Sequence, residues 1–352
     1  MIDSEEKLAP LLPHLQQAEW IAIDTEANSL YAYPPRLCLI QISIPDMDVI
    51  LDPLVPIDLT GLFSALGSRE LILHGADYDL RLLWKHFQFR PAALFDTMWA
   101  ARFLGYTEFG LTHLVGRMIG TPLEKGPQKM NWAKRPLTER MERYAKNDTH
   151  YLRDLSQSLS SELESLGRLS WLRELCDRLI VECSQTTSVD HETVWRIKGS
   201  SRLSRASLAI LREIWHWRES EAVHRNKPPY FVLSNEAMIE IADTAASGRS
   251  ISHAIPPMLN HSKRTAIKAA VERGLSLPHS DHPAILRQPS SPRLTQAEKT
   301  RYESLKKRRD QHAEKLNLDP SIIASRLTLT NLALEIDQPE KALMHWQREL
   351  LL

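Results

Sequence analysis

Two acids spaced by one residue, Asp24 and Glu26, stand at the end of the apolar run Trp20–Asp24 (WIAID). Alternate residues of a strand point to the same face, so both carboxylates project together. Such a pair of anions is unfavourable without a counter-charge, and oxygen ligands suit Mg²⁺ or Mn²⁺ over softer metals. Further along, His74-Gly75-Ala76-Asp77-Tyr78-Asp79 reads as a strand end, a glycine turn and a helix beginning near Asp77. Asp77 suits a helix N-terminus as well as any chemical role. Asp79 is placed to face the crevice at the strand ends. Tyr144 and Asp148, four apart on a helix beginning near Thr138, share one face. Taken locally, that pair fits a packed hydrogen bond as well as chemistry.

The elements that must position these groups alternate in type. Trp20–Asp24, Leu37–Ile44 and Asp48–Leu51 read as a β-meander, with further short strands at Leu71–His74 and Ala93–Phe95. Asp79–Phe87 has helical spacing, with Leu80, Leu83, Trp84 and Phe87 on one face. Strands alternating with helices give an α/β domain. Helices dominate afterwards, over 97–104, 110–119, 138–166 and 169–184. The organisation expected is a catalytic domain over 1–185, a polar linker over 186–199 and a helical module over 200–278. A Pro- and Ser-rich linker over 279–292 and a second, shortened helical module over 293–352 follow. In the first module Ser234 and Ser262 are the expected helix caps, with the last helix ending near Gly274. In the second, Thr295-x-x-Glu298 forms a capping box, Asp319-Pro320 starts a helix, and Asp337-x-Pro339 marks entry to the last one.

Residues 1–100 carry 6 Lys/Arg against 14 Asp/Glu, whereas residues 201–352 carry 23 against 17. That asymmetry fits an acidic metal site in front and a phosphate-attracting module behind, although two solvated surfaces would show it too. The three cysteines, Cys38, Cys176 and Cys183, form no CxxC pair, which argues against a disulfide framework and a zinc site. No apolar stretch approaches the roughly 20 residues of a membrane span, and the N-terminus does not read as a secretory signal. A cytoplasmic location is the expectation.

Taken in order, Asp24-x-Glu26, Asp79 after a strand–Gly turn, and Tyr144-x-x-x-Asp148 match the three exonuclease motifs of the DEDD superfamily in its tyrosine-bearing branch. Within that branch the chain resembles the ribonuclease D family. Tyr33-Pro34, Leu37-x-Leu39-Ile40-Gln41, Asp96-Thr97 and Trp132-x-x-Arg135-Pro136-Leu137-Thr138 carry the resemblance further. Residues 200–278 look like an HRDC module, and within 293–352 Asp319-Pro320-x-x-Ile323-Ala324-Ser325-Arg326 resembles the second such module of that family. Lys129-Met130-Asn131 departs from the Ser-Asp that many relatives carry before the tryptophan.

The resemblance implies an α/β ribonuclease H-like catalytic domain, a mixed sheet flanked by helices, followed by all-α HRDC-type modules. It implies a 3′→5′ exoribonuclease in which Asp24, Glu26, Asp79 and Asp148 bind two divalent cations, Mg²⁺ or Mn²⁺, and Tyr144 assists the attacking water. The partner implied is RNA with a free 3′ end, tRNA precursors above all, with no obligatory protein partner. Gln41 and His74, next to motif residues, are candidate substrate contacts, and Lys125 and Arg135 are candidate phosphate contacts. Trp132 is either a base-stacking platform or a core residue. Three rival readings are a 3′→5′ DNA exonuclease, a non-catalytic RNA-binding scaffold and a helicase-associated factor recruited through its helical module, although no G-x-x-x-x-G-K-[ST] phosphate loop occurs in the chain.

Overall fold

The computed structural model describes residues 1–124, 126, 129–185, 190–286, 294–335 and 342–352. Met1–Ala27, Leu37–Thr186 and Arg293–Leu352 form one compact unit; Asn28–Arg36 and Thr187–Pro292 form another. Among the described residues, no helix is long and apolar enough to cross a membrane.

In the first unit, α1 (Glu5–Leu8) and α2 (Leu11–Gln17) precede β1 (Ile21–Ala27), β2 (Leu37–Ile44) and β3 (Met47–Leu51). Then come α3 (Thr60–Gly67), β4 (Glu70–Leu73), α4 (Asp77–Phe87), β5 (Ala93–Asp96) and α5 (Thr97–Phe103). After these lie α6 (Leu111–Met118), α7 (Glu139–His150), α8 (Leu152–Ser165) and α9 (Leu169–Cys183). The helix expected over 138–166 is therefore two helices, interrupted at Tyr151, where ψ is −2°.

The strands form one mixed sheet in the order β3-β2-β1-β4-β5. β1 runs antiparallel to β2 and parallel to β4. Every residue of β2 is buried, which is why its sequence is an almost unbroken apolar run. Helix α7 packs on β1, β2 and β3, while α8 packs on β1 and β4, and α9 on β5. The β1–β4 pairing spans only Ile21↔Leu71 and Ala22↔Ile72. Beyond it β1 runs on to Ala27 while β4 stops at Leu73, leaving a crevice at the strand ends.

The second unit is a helical module: α10 (Arg205–Arg225), α11 (Pro229–Val232), α12 (Asn235–Ala246) and α13 (His261–Ser276). Trp195, Leu208, Leu211, Ile214, Met238, Ile241 and Ile267 fill its core. Ser234 caps α12, but Asn260 rather than Ser262 caps α13. That helix ends at Ser276, near Gly274 as expected, but the glycine is not its cap. It lies inside, where a Cβ would come within 2.6 Å of the Ile210 Cα, so its smallness lets α13 close on α10. Asn28–Arg36, expected inside the catalytic domain, clusters here instead. The Tyr33 hydroxyl donates to Glu219 and the Tyr33 N–H to Asn226 Oδ1 at 3.2 Å, ties that fix the loop to α10.

The chain then returns to the first unit through α14 (Gln296–Leu316), α15 (Pro320–Ile323), α16 (Arg326–Leu334) and α17 (His345–Leu351). The Thr295–Glu298 capping box is present and Asp319 caps α15. Asp337 and Pro339 lie outside the described residues. This segment packs into the catalytic core. Trp346 stacks on Trp171 with centroids 4.7 Å apart and meets Phe103 edge-on at 5.4 Å. Arg168 clasps both sides, donating to the carbonyls of Phe103 at 2.7 Å and Leu316 at 2.9 Å. Gly105, at φ 85°, faces the Asn317 carbonyl so closely that no side chain fits.

Candidate active site

Asp24 and Glu26 extend from β1 just beyond its pairing with β4. Asp79 sits in the first turn of α4, and Tyr144 and Asp148 lie one turn apart on α7. All five line one cavity of about 1550 Å³. Carboxylate oxygens of Asp24, Glu26 and Asp148 lie within 4.8 Å of one another. Asp79 falls outside that trio, held by a hydrogen bond from the Thr25 hydroxyl. Its charge still reaches the other three acids and disfavours their ionisation.

Burial is the main cause of the site's unusual acidities. It holds Asp24 well above the carboxylate range, with the charges of Asp79, Asp148 and Glu26 adding to the effect. Burial, then Asp148 and Asp79, pushes Glu26 up to about 9. Asp79 is raised to about 7 by burial, against the opposing Thr25 hydrogen bond. Asp148 is likewise raised to about 7, against a hydrogen bond from Tyr144. Four clustered acids that resist ionising, all with hard oxygen donors, are a donor set that fits divalent cations.

Supporting residues explain how the acids are held. Asp96 is fully buried at the end of β5. Its carboxylate accepts from the N–H groups of Gly75 at 3.0 Å and Ala76 at 2.8 Å, fixing the turn that launches α4 and Asp79. It also caps α5 through the N–H groups of Met98 and Trp99. Thr25 is a supporting position that the sequence reading did not single out, and Asp96 entered it only through the Asp96-Thr97 pair that carries the family resemblance. The signal for Thr25 was its place between two acids, and for Asp96 an Asp-Thr opening a helix after a strand.

The expected substrate contacts fare differently. His74 lines the cavity. Lys125 lies outside the described residues. Trp132 is fully buried and cannot stack a base; it stacks on Tyr144 instead, with centroids 6.0 Å apart and planes at 30°. The backbone at Gly126 also lies against that ring, where a Cβ would collide with Tyr144. Gln41 is fully buried opposite Asp24 on β2, out of reach of a polynucleotide, and neither amide atom has a hydrogen-bond partner among the described residues.

Arg135 is not a phosphate ligand either. It pairs with the buried Asp52 and donates to the carbonyls of Trp132 at 2.7 Å and Cys38 at 2.9 Å. Its work is to anchor the segment carrying Trp132. Arg135→Ala strands a buried carboxylate and two carbonyls, and should cost about 2–4 kcal/mol in denaturant unfolding. Among the described residues, the Lys and Arg side chains that line the cavity are Arg117, Lys129, Arg140 and Arg143. Arg140, four residues before Tyr144 on α7, is a position the sequence reading did not single out.

Acids converging from β1, α4 and α7 on one cavity with a tyrosine, beside a mixed α/β sheet, fit the 3′→5′ exonuclease class of nucleases. A 3′-5′ exonuclease family model matches residues 1–164, and an HRDC domain model matches residues 207–247. A ribonuclease D from Gluconacetobacter diazotrophicus is 32% identical, with the alignment spanning 99% of this chain and 89% of that protein. Another from Granulibacter bethesdensis is 30% identical over 99% and 90%. The crystal structure of Escherichia coli RNase D, described as an exoribonuclease involved in structured RNA processing, superposes with a TM-score of 0.77 at 25% identity, covering 100% of this chain and 96% of that one. The chain belongs to the ribonuclease D family of 3′→5′ exoribonucleases.

Proposed function

We propose that this exoribonuclease trims RNA from the 3′ end, releasing nucleoside 5′-monophosphates, with Asp24, Glu26, Asp79 and Asp148 holding two divalent cations. The observation that supports this most is the convergence of acids from β1, α4 and α7 on one cavity that also holds Tyr144. When bound, such cations lower the pKa of an attacking water and stabilise charge on the scissile phosphate and leaving oxygen. The chain's own groups do the rest. Tyr144, braced by Trp132 and hydrogen-bonded to Asp148, orients the water. Arg117, Lys129, Arg140 and Arg143 meet the phosphates upstream of the scissile bond. The HRDC unit adds backbone affinity without sequence reading.

The substrates we favour are tRNA precursors with 3′ trailers, in the cytoplasm, where the buried free thiols Cys38, Cys176 and Cys183 stay reduced. Tyr144→Phe should lower kcat about 10- to 100-fold with little change in KM, because the ring still packs on Trp132. The functional test uses one RNA, labelled at either end, with Mg²⁺ and with EDTA. Mononucleotide should appear first from the 3′ label and only with metal. Internal fragments, or EDTA-resistant cleavage, would overturn the proposal. The same sequence as DNA addresses the rival substrate.

A further inference from the structure

His74 directly follows β4 and is half-buried at the wall of the acidic cavity. Its Nδ1 lies 2.9 Å from the Thr97 hydroxyl oxygen. That hydroxyl in turn donates to the Leu73 carbonyl at 3.0 Å. A carbonyl oxygen only accepts, and a threonine hydroxyl has a single hydrogen. The Thr97 hydrogen is therefore committed to Leu73, and the proton between His74 and Thr97 must sit on Nδ1. A neutral imidazole with its hydrogen on Nδ1 presents Nε2 as a pure acceptor.

The ring stays in that form across the working range, because burial lowers the His74 pKa to about 4. Among the described residues Nε2 has no hydrogen-bond partner, and it is absent from the buried unpartnered atoms, so it opens on the cavity. An acceptor at that place takes an O–H or N–H from the nucleic acid. Base N–H groups differ from base to base, whereas every ribonucleotide carries a 2′-hydroxyl. The 2′-hydroxyl is also what separates RNA from DNA at a given site.

We propose that His74 Nε2 accepts a hydrogen bond from the 2′-hydroxyl of one of the two nucleotides flanking the scissile bond, making His74 a specificity-determining residue for RNA over DNA. Thr97 is the positioning residue that sets the tautomer. This inference rests on the exoribonuclease reading of the same cavity and adds the sugar contact to it.

Two measurements test it. A long-range ¹H–¹⁵N spectrum of the wild-type protein identifies which ring nitrogen of His74 carries hydrogen. The expected answer is Nδ1, and hydrogen on Nε2 overturns the proposal. The second is a cycle of kcat/KM for wild type, His74→Ala and Thr97→Val on RNA and on RNAs with a 2′-deoxy sugar at the last or next-to-last position. On one of the two deoxy substrates, the loss caused by His74→Ala should be at least about 10-fold smaller than on RNA. Thr97→Val, which removes the acceptor for Nδ1–H, should show the same coupling in weaker form. Equal losses on all three substrates would refute the contact, while RNA hydrolysis by the wild type would still stand. A wild type unable to degrade RNA would sink the exoribonuclease reading and the contact with it, whichever nitrogen carries the hydrogen.

Discussion

Replacing Asp24 by Asn is expected to lower turnover on RNA by at least ~10³-fold while raising the melting temperature of the metal-free protein at pH 8. The loss follows from the place of Asp24 in the trio whose oxygens lie within 4.8 Å of one another. Removing one of the four proposed ligands should cost on the order of 4 kcal/mol of transition-state stabilisation, since each ~1.4 kcal/mol is a factor of ten. The gain in stability has the same origin. Asp24 is a carboxyl whose charged form is opposed by burial and by three neighbouring acids. An amide removes that charge at nearly constant volume. Asp148→Asn should behave alike, because Asp148 is also raised, to about 7. Steady-state kinetics with Mg²⁺ and thermal melts in EDTA check both halves. A variant that loses activity and also melts earlier at pH 8 would point to a structural role for the carboxylate.

The second large effect is a pH dependence of stability that metal reverses. A carboxyl with a folded-state pKa above its unfolded value binds more protons when folded, so stability falls as pH rises. The window opens near the ordinary carboxylate value of about 4. It extends through about 7 for Asp79 and Asp148 and about 9 for Glu26. The metal-free protein should therefore lose melting temperature steadily between pH 5 and 9. Mn²⁺ binds the ionised acids and so competes with protons, and its stabilisation should grow with pH over the same window. Melts across that range, with EDTA and with excess Mn²⁺, give two curves that diverge upward in pH. Parallel curves would mean that the acids and the metal do not share a site.

How much of this could be read from the chain alone depends on whether a residue's neighbours are close in sequence. Asp24 and Glu26 were legible because strand alternation is local, and Tyr144 with Asp148 because a helix returns to one face every four residues. The capping box at Thr295 was legible for the same reason. Roles set by distant partners were not. For Trp132 the core reading, one of two the sequence left open, is the one the structure bears out, whereas Arg135 looks like a surface residue of a polar loop and is held instead by Asp52 and the Cys38 carbonyl. Gln41 sits beside a motif in sequence but faces the interior from the middle of the sheet. The docking of residues 293–352 on the catalytic core turns on Trp171, Phe103 and Gly105, whose pairing with Trp346 and Asn317 has no local signature. Likewise, nothing around Tyr33 announces its tie to Glu219.

The account stands or falls on whether the four acids share cations. Mn²⁺ titrated into the purified chain at pH 8, with free ion followed by electron paramagnetic resonance, measures this without any substrate. Two ions per chain, with occupancy falling in Asp148→Asn, is the predicted result. A protein that binds no Mn²⁺ at millimolar concentration, or binds it equally well without Asp148, contradicts it.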